Sequence, residues 1–232
     1  MTESQRKPIA FDIETSGFDD DAVITVAGFS HAMGESLILN TAGREDFDWG
    51  MLLSTLAEQS DGLLELDIVT TEQELLELVA SFVKRELDDE SHYLTPLDGQ
   101  TWNGGLGLPF CRTRFLRHDM PWPFSDFVYA DMKQIVAPFD TNGHSDLVGV
   151  YEALVADGTV PPFEESEDAV TAFANAEWMG LLQQTLATIQ RTRKPERMEG
   201  SSNPQAAFSL NGSTHAFEQN SCQRPKTSHR YL

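Results

Sequence analysis

Lysine is scarce in this chain, with five among 232 residues, and all basic residues together number 16 against 37 acidic ones. The formal net charge is -21. A body this acidic and this poor in lysine looks like proteins of salt-loving microbes, where surplus carboxylates keep the surface hydrated. At molar salt the Debye length is about 3 Å, so the charge does not by itself exclude nucleic acid as a partner. Cysteine is also scarce: Cys111 and Cys222 lie far apart with no C-x-x-C, which argues against a disulfide framework or a zinc site and fits a reducing interior. No apolar run approaches the roughly 20 residues of a membrane helix, and no signal peptide precedes the first apolar segment, so the expected location is the cytoplasm and the expected partners exclude a membrane.

The charge is unevenly spread. Residues 190–232 hold seven Lys+Arg against three Asp+Glu, or +4, which leaves the rest of the chain at -25. From about Lys194 Ser, Asn, Gln, Gly and Pro dominate and hydrophobic periodicity vanishes. The chain therefore divides into a domain over residues 1–193 and a basic, mostly disordered tail over 194–232. Arg191, Arg193, Lys194 and Arg197 form the root of that tail. They read as a nucleic-acid arm, as cations meeting the dipole at a helix end, or as the trace of a coding sequence that lost its original ending.

Within the domain, "PIAFDIETSGFDD" (8–20) reads as a strand that ends in a turn at Thr15, Ser16 and Gly17. Successive strand side chains point to opposite faces, so Asp12 and Glu14 share one face while Phe11 and Ile13 share the other. Two unpaired carboxylates repel each other and lose solvation; a divalent cation with oxygen ligands resolves this, and a solvated strand end is the plainer alternative. "AVITVAGFSH" (22–31) and "ESLILNTA" (35–42), split by a turn at Met33-Gly34, extend the sheet antiparallel. A helix over 45–59, a β-rich run over 63–70, and a helix to about Leu87 capped by Thr71 and Glu74 follow. Leu75, Leu76, Leu78, Val79, Phe82, Val83 and Leu87 recur at helical spacing and read as core. Strands are expected at 91–97 and 125–132, and helices at 109–119, 145–156, 166–176 and 177–193. Three antiparallel strands followed by α/β alternation predict an α/β domain with a mixed sheet and helices on both faces.

Three segments, in order, carry a resemblance. "IAFDIETSGF" resembles the first motif of the DEDD 3'-5' exonucleases (DnaQ-like or YprB-like) in the ribonuclease H-like superfamily. "TWNGGLGLPFCRTRF" (101–115) is similar to the second, and "WMGLLQQTLATIQRT" (178–192) to the third. The resemblance covers residues 8–193 and implies a ribonuclease H-like sheet and a two-metal phosphodiester hydrolysis, with ions about 3.5–4 Å apart. Asp12 would bridge both metals; Glu14 would bind one and orient the attacking water. The remaining positions depart from the pattern. The second-motif aspartate corresponds to Gly107, the general base to Gln184, which takes no proton at neutral pH, and the last aspartate to Thr188, a poor ligand for a hard cation. Asn103 also sits one residue nearer to Gly107 than the pattern has it.

The resemblance therefore implies a degenerate 3'-5' exonuclease-like protein that holds at most one weak Mg²⁺ or Mn²⁺ through Asp12 and Glu14. It would bind a single-stranded DNA or RNA end, or a nucleotide, with little or no hydrolysis, because a site that acts as a unit loses most of its rate with any member. Thr15, Trp102, Asn103 and Arg112 are the expected nucleic-acid contacts. Phe110, Trp178 and Arg114 are further candidates, although large aromatics are first of all core payload. Asp131, Asp146, Glu164, Glu165, Glu167 and Asp168 are the acids that could replace a missing ligand, and each otherwise reads as a cap or as solvated. The other readings are an impaired single-metal exonuclease and a non-enzymatic protein-interaction module.

Overall fold

The computed structural model describes residues 6–17, 19–96, 107–131, 161–163 and 166–199, with the backbone alone at 166 and 194–199. Strands β1 (Lys7–Thr15), β2 (Ile24–His31), β3 (Gly34–Asn40), β4 (Leu63–Val69) and β5 (His92–Thr95) form one mixed sheet in the order β4-β3-β2-β1-β5. β1, β2 and β3 pair antiparallel, while β5 runs parallel to β1 and β4 parallel to β3. The parallel placement of β4 depends on Gly34. Its φ is +152°, and a Cβ there would lie 1.9 Å from the Leu63 carbonyl oxygen, so only glycine lets the two backbones meet.

Helices cover both faces. On one, α2 (Glu72–Glu86) and α3 (Gly107–Arg117) pack against Ile9, Phe11, Ile13 and Phe29. On the other, α1 (Trp49–Gln59), α4 (Ser166–Ala174) and α5 (Trp178–Glu199) pack against Ala10, Val26, Leu37 and Leu39. The alternation along β1 sends odd residues to the first core and even residues to the second. α2 begins as its sequence dictates. Thr71 Oγ1 accepts from the Glu74 N–H at 3.2 Å while the Glu74 carboxylate accepts from the Thr71 N–H at 3.0 Å, which closes a capping box. Leu75, Leu76, Val79, Phe82 and Val83 are buried beneath it, with Leu78 and Leu87 at the margin.

Several elements differ from their sequence-based bounds. α1 starts at Trp49 rather than 45, because Asp48 caps it by accepting from the Met51 N–H at 3.0 Å. α3 occupies 107–117, and Asp119 at φ +54° closes it with the Met120 N–H on the Phe115 carbonyl. The strand expected at 125–132 is reduced to a parallel bridge between Leu94 and Tyr129. α5 runs on to Glu199, so Arg191 and Arg193 lie inside it rather than in its last turn, and the helix-end account of these two cations does not hold. The helix expected at 145–156 and the chain beyond Glu199 lie outside the described residues. Among the described residues no helix is long and apolar enough to cross a membrane.

Candidate functional site

Asp12 and Glu14 stand on the face of β1 that α5 covers. Asp12 pairs with Gly28 and Glu14 with Val26 on β2, and directly opposed residues of antiparallel strands share a face. Gly28 explains the close approach of the helix. A Cβ there would lie 2.5 Å from Thr185 Cγ2 and 3.3 Å from Ile189 Cδ1, so α5 rests on the bare backbone beside Asp12. Between Glu14 and Thr15 the register slips: Glu14 faces Val26 but Thr15 faces Ile24, which leaves Thr25 as the extra residue of a β-bulge. Bulges of this kind bend the strand and re-aim its side chains. The segment then turns, with Thr15 Oγ1 donating to the Gly17 carbonyl at 2.8 Å and the Ser16 N–H donating to the Val23 carbonyl at 2.9 Å.

The electrostatics follow from crowding. Both carboxyls keep some accessible surface, yet protein packs around them closely enough that desolvation dominates. Burial pushes the Asp12 carboxyl up to about 7, with the Ile13 N–H opposing part of the rise. Burial, and then the Asp12 charge, push Glu14 well above the usual carboxylate range. Neither acid has a cationic partner among the described residues. Two acids this crowded resist ionising together.

The remaining motif positions are placed as follows. Gly107 is the first residue of α3, which borders β1 but buries Leu108, Cys111 and Phe115 in the opposite core. Gln184 and Thr188 sit on α5, partly buried and engaged locally: Gln184 Oε1 accepts from the Phe163 N–H at 3.2 Å, and Thr188 Oγ1 donates to the Gln184 carbonyl at 3.1 Å. Arg112 is exposed on α3, near enough to Tyr129 for its charge to oppose the upward shift that burial gives the phenol. Trp102, Asn103, Asp146, Glu164 and Glu165 lie outside the described residues. Glu167 and Asp168 are exposed in the first turn of α4, and Asp131 is buried. Among the described residues no three His, Cys, Asp or Glu side chains gather as a metal cluster.

Two candidates turn out differently. Arg114 is not free for phosphate. It is buried, and its Nε and Nη2 donate to the Glu72 carboxylate at 2.8 and 2.5 Å. The same carboxylate accepts from the Ile24 N–H at 2.7 Å and meets His118 Nε2 at 2.9 Å. Trp178 is core, with Phe173 at its edge and the Arg44 guanidinium 4.5 Å above its ring. The Glu72 cluster has no sequence signature, because a first-turn glutamate reads as a dipole partner and Arg114 is 42 residues away. It ties the start of β2, opposite Thr15, to the middle of α3.

No protein-family model matches the chain, and no curated protein matches it in sequence.

Proposed function

We propose that this chain is a catalytically depleted relative of the DEDD 3'-5' exonucleases on a ribonuclease H-like scaffold, binding a nucleic-acid end or nucleotide at Asp12 and Glu14 with little or no hydrolysis. The observation that carries this reading is that the acid pair lies on the very sheet face covered by α5, the helix holding Gln184 and Thr188. The order β3-β2-β1-β5, with the bridge to Tyr129 beyond β5, supports the ribonuclease H-like scaffold; β4 is then an addition at the far edge.

The residues present fit one cation and not two. Asp12 and Glu14 are desolvated carboxyls with no cationic partner among the described residues, and Mg²⁺ binds through one or two carboxylates while keeping its waters. Gly107 offers no oxygen from a side chain, and the Thr188 hydroxyl donates to its own helix. A bound ion would supply the positive charge that draws a phosphate oxygen to the pair, and Asp12 and Glu14 would hold it.

A 3'-labelled single strand, mixed with the full chain in high salt, tests this. Mg²⁺ should strengthen binding, Asp12→Asn should abolish the Mg²⁺ effect, and the strand should keep its length. Shortening in Mn²⁺ that Asp12→Ala removes would mean an impaired single-metal nuclease, and no binding at all would favour an interaction module. The combined Gly107→Asp, Gln184→His and Thr188→Asp variant should gain Mn²⁺-dependent shortening.

A further inference from the structure

Away from the acid pair, the N-terminal ends of α1 and α5 border an open cleft of about 300 Å³, the lower end of the range for ligand sites. Its walls include Phe47, Met51, Trp178 and Met179. Of the large apolar side chains that the described surface exposes, Met51, at 57%, lines this cleft, and Trp49, at 42%, stands two residues before it on α1. An exposed apolar side chain in a cleft is a mark of an interaction site, and Met is a residue type that interfaces favour.

The rim identifies the occupant. Asp46, Asp48 and Glu177 line the cleft, and none forms an ion pair among the described residues. Asp48 commits Oδ1 to the Met51 N–H and Glu177 commits Oε1 to Asn175, while Asp46 accepts no hydrogen bond among the described residues. Arg44, two residues before Asp46, is engaged elsewhere: its guanidinium lies over the Phe173 and Trp178 rings, 4.5 Å from each centroid, and donates to the Phe173 carbonyl at 2.7 Å. Three carboxylates repel phosphate, so this is not an extension of a nucleic-acid track. They suit the head of an arginine whose methylene stem lies along the apolar floor.

We propose that the α1–α5 cleft is a docking site for an arginine-bearing, apolar-flanked peptide segment of a partner protein. It is independent of the acid pair on β1. The test uses the full chain and three capped tripeptides, Ac-Phe-Arg-Leu-NH₂ and its Gln and Glu analogues, followed by the indole N–H resonances of Trp49 and Trp178, assigned among the four tryptophans with single Phe variants at Trp49, Trp102 and Trp122. The Arg peptide should shift both resonances saturably, the Gln peptide more weakly and the Glu peptide least. Asp46→Asn and Glu177→Gln, both at exposed positions, should each weaken the Arg peptide up to about fivefold, the upper range for a solvent-exposed ion pair. Asp12→Asn should change nothing, which separates this proposal from the nucleic-acid reading. No saturable shift, equal shifts from all three peptides, or full affinity in the Asp46→Asn/Glu177→Gln double variant would overturn it.

Discussion

Replacing Gly28 with alanine tests the seating of α5 on the sheet beside Asp12. The added Cβ would sit 2.5 Å from Thr185 Cγ2, 3.2 Å from Leu37 Cδ2 and 3.3 Å from Ile189 Cδ1. Carbon atoms pack comfortably at about 3.5–4.0 Å, so the first contact is about 1 Å too short. Thr185 has little freedom to turn aside, because its hydroxyl donates to the Leu181 carbonyl at 3.2 Å and the residue is fully buried. The helix must lift or the strand must bend. Overpacking of this kind costs about 1–3 kcal/mol, partly offset by about 0.4–1 kcal/mol from the lower chain entropy of alanine when unfolded. The net loss of about 1–2 kcal/mol lowers Tm by about 2–8 °C for a domain of this size. Thr185→Ser deletes the offending methyl and keeps the hydroxyl, so the double variant should regain most of the loss. A double-mutant cycle by urea unfolding should therefore return a coupling of about 1 kcal/mol or more. A neutral Gly28→Ala, or additive single effects, would mean that α5 does not lie on Asp12's side of the sheet.

Other perturbations have equally definite signs. Arg114→Met takes the guanidinium from the buried Glu72 carboxylate, leaving it the Ile24 N–H and His118, and should cost about 3 kcal/mol in denaturant unfolding, whereas the exposed Arg112→Met should change stability by less than about 0.5 kcal/mol. Asp12 binds its proton more tightly folded, at about 7, than unfolded, where the ordinary value is 3.8. In that window the folded state holds the extra proton, so stability falls as pH rises from about 4 to 7 and is fully present below it. Asp12→Asn should lessen this slope, with Glu14 keeping its own share, and stabilise the protein at pH 8 by up to about 4 kcal/mol, about 1.4 kcal/mol for each pH unit between the two values, as read from Tm against pH. Thr71→Ala removes one half of the α2 capping box and should cost about 1 kcal/mol.

Much of this architecture was legible because local chemistry and tertiary packing agree. Period two along β1 placed Asp12 and Glu14 together and Phe11 with Ile13 opposite, and the two cores divide in that way. The Thr71-Glu74 pair announced α2, since a capping box is read from four consecutive residues. What escaped depends on residues distant in sequence. The parallel seat of β4 beside β3 rests on Gly34 meeting Leu63, 29 positions on, and nothing in either segment names its neighbour. Arg114 stayed open as a further phosphate candidate because its partner Glu72 belongs to another helix. The glycine at 107 and the neutral side chains at 184 and 188 were visible as residue types. The bulge at Thr25 and the close seat of α5 over Gly28 were not, because both arise from pairing rather than from composition. The helix boundary at 193 was misjudged for a related reason: charge and composition change there, but backbone hydrogen bonding continues to Glu199.

The central claim is that Asp12 and Glu14 form a site for one cation, the remainder of a larger set. Titration of Mn²⁺ into the full chain, followed by electron paramagnetic resonance in molar KCl to suppress diffuse binding to the acidic surface, measures this directly. One weakly held ion per chain, lost in Asp12→Asn and in Glu14→Gln, is the predicted result. Two tightly held ions, or one that persists without Asp12, would contradict it.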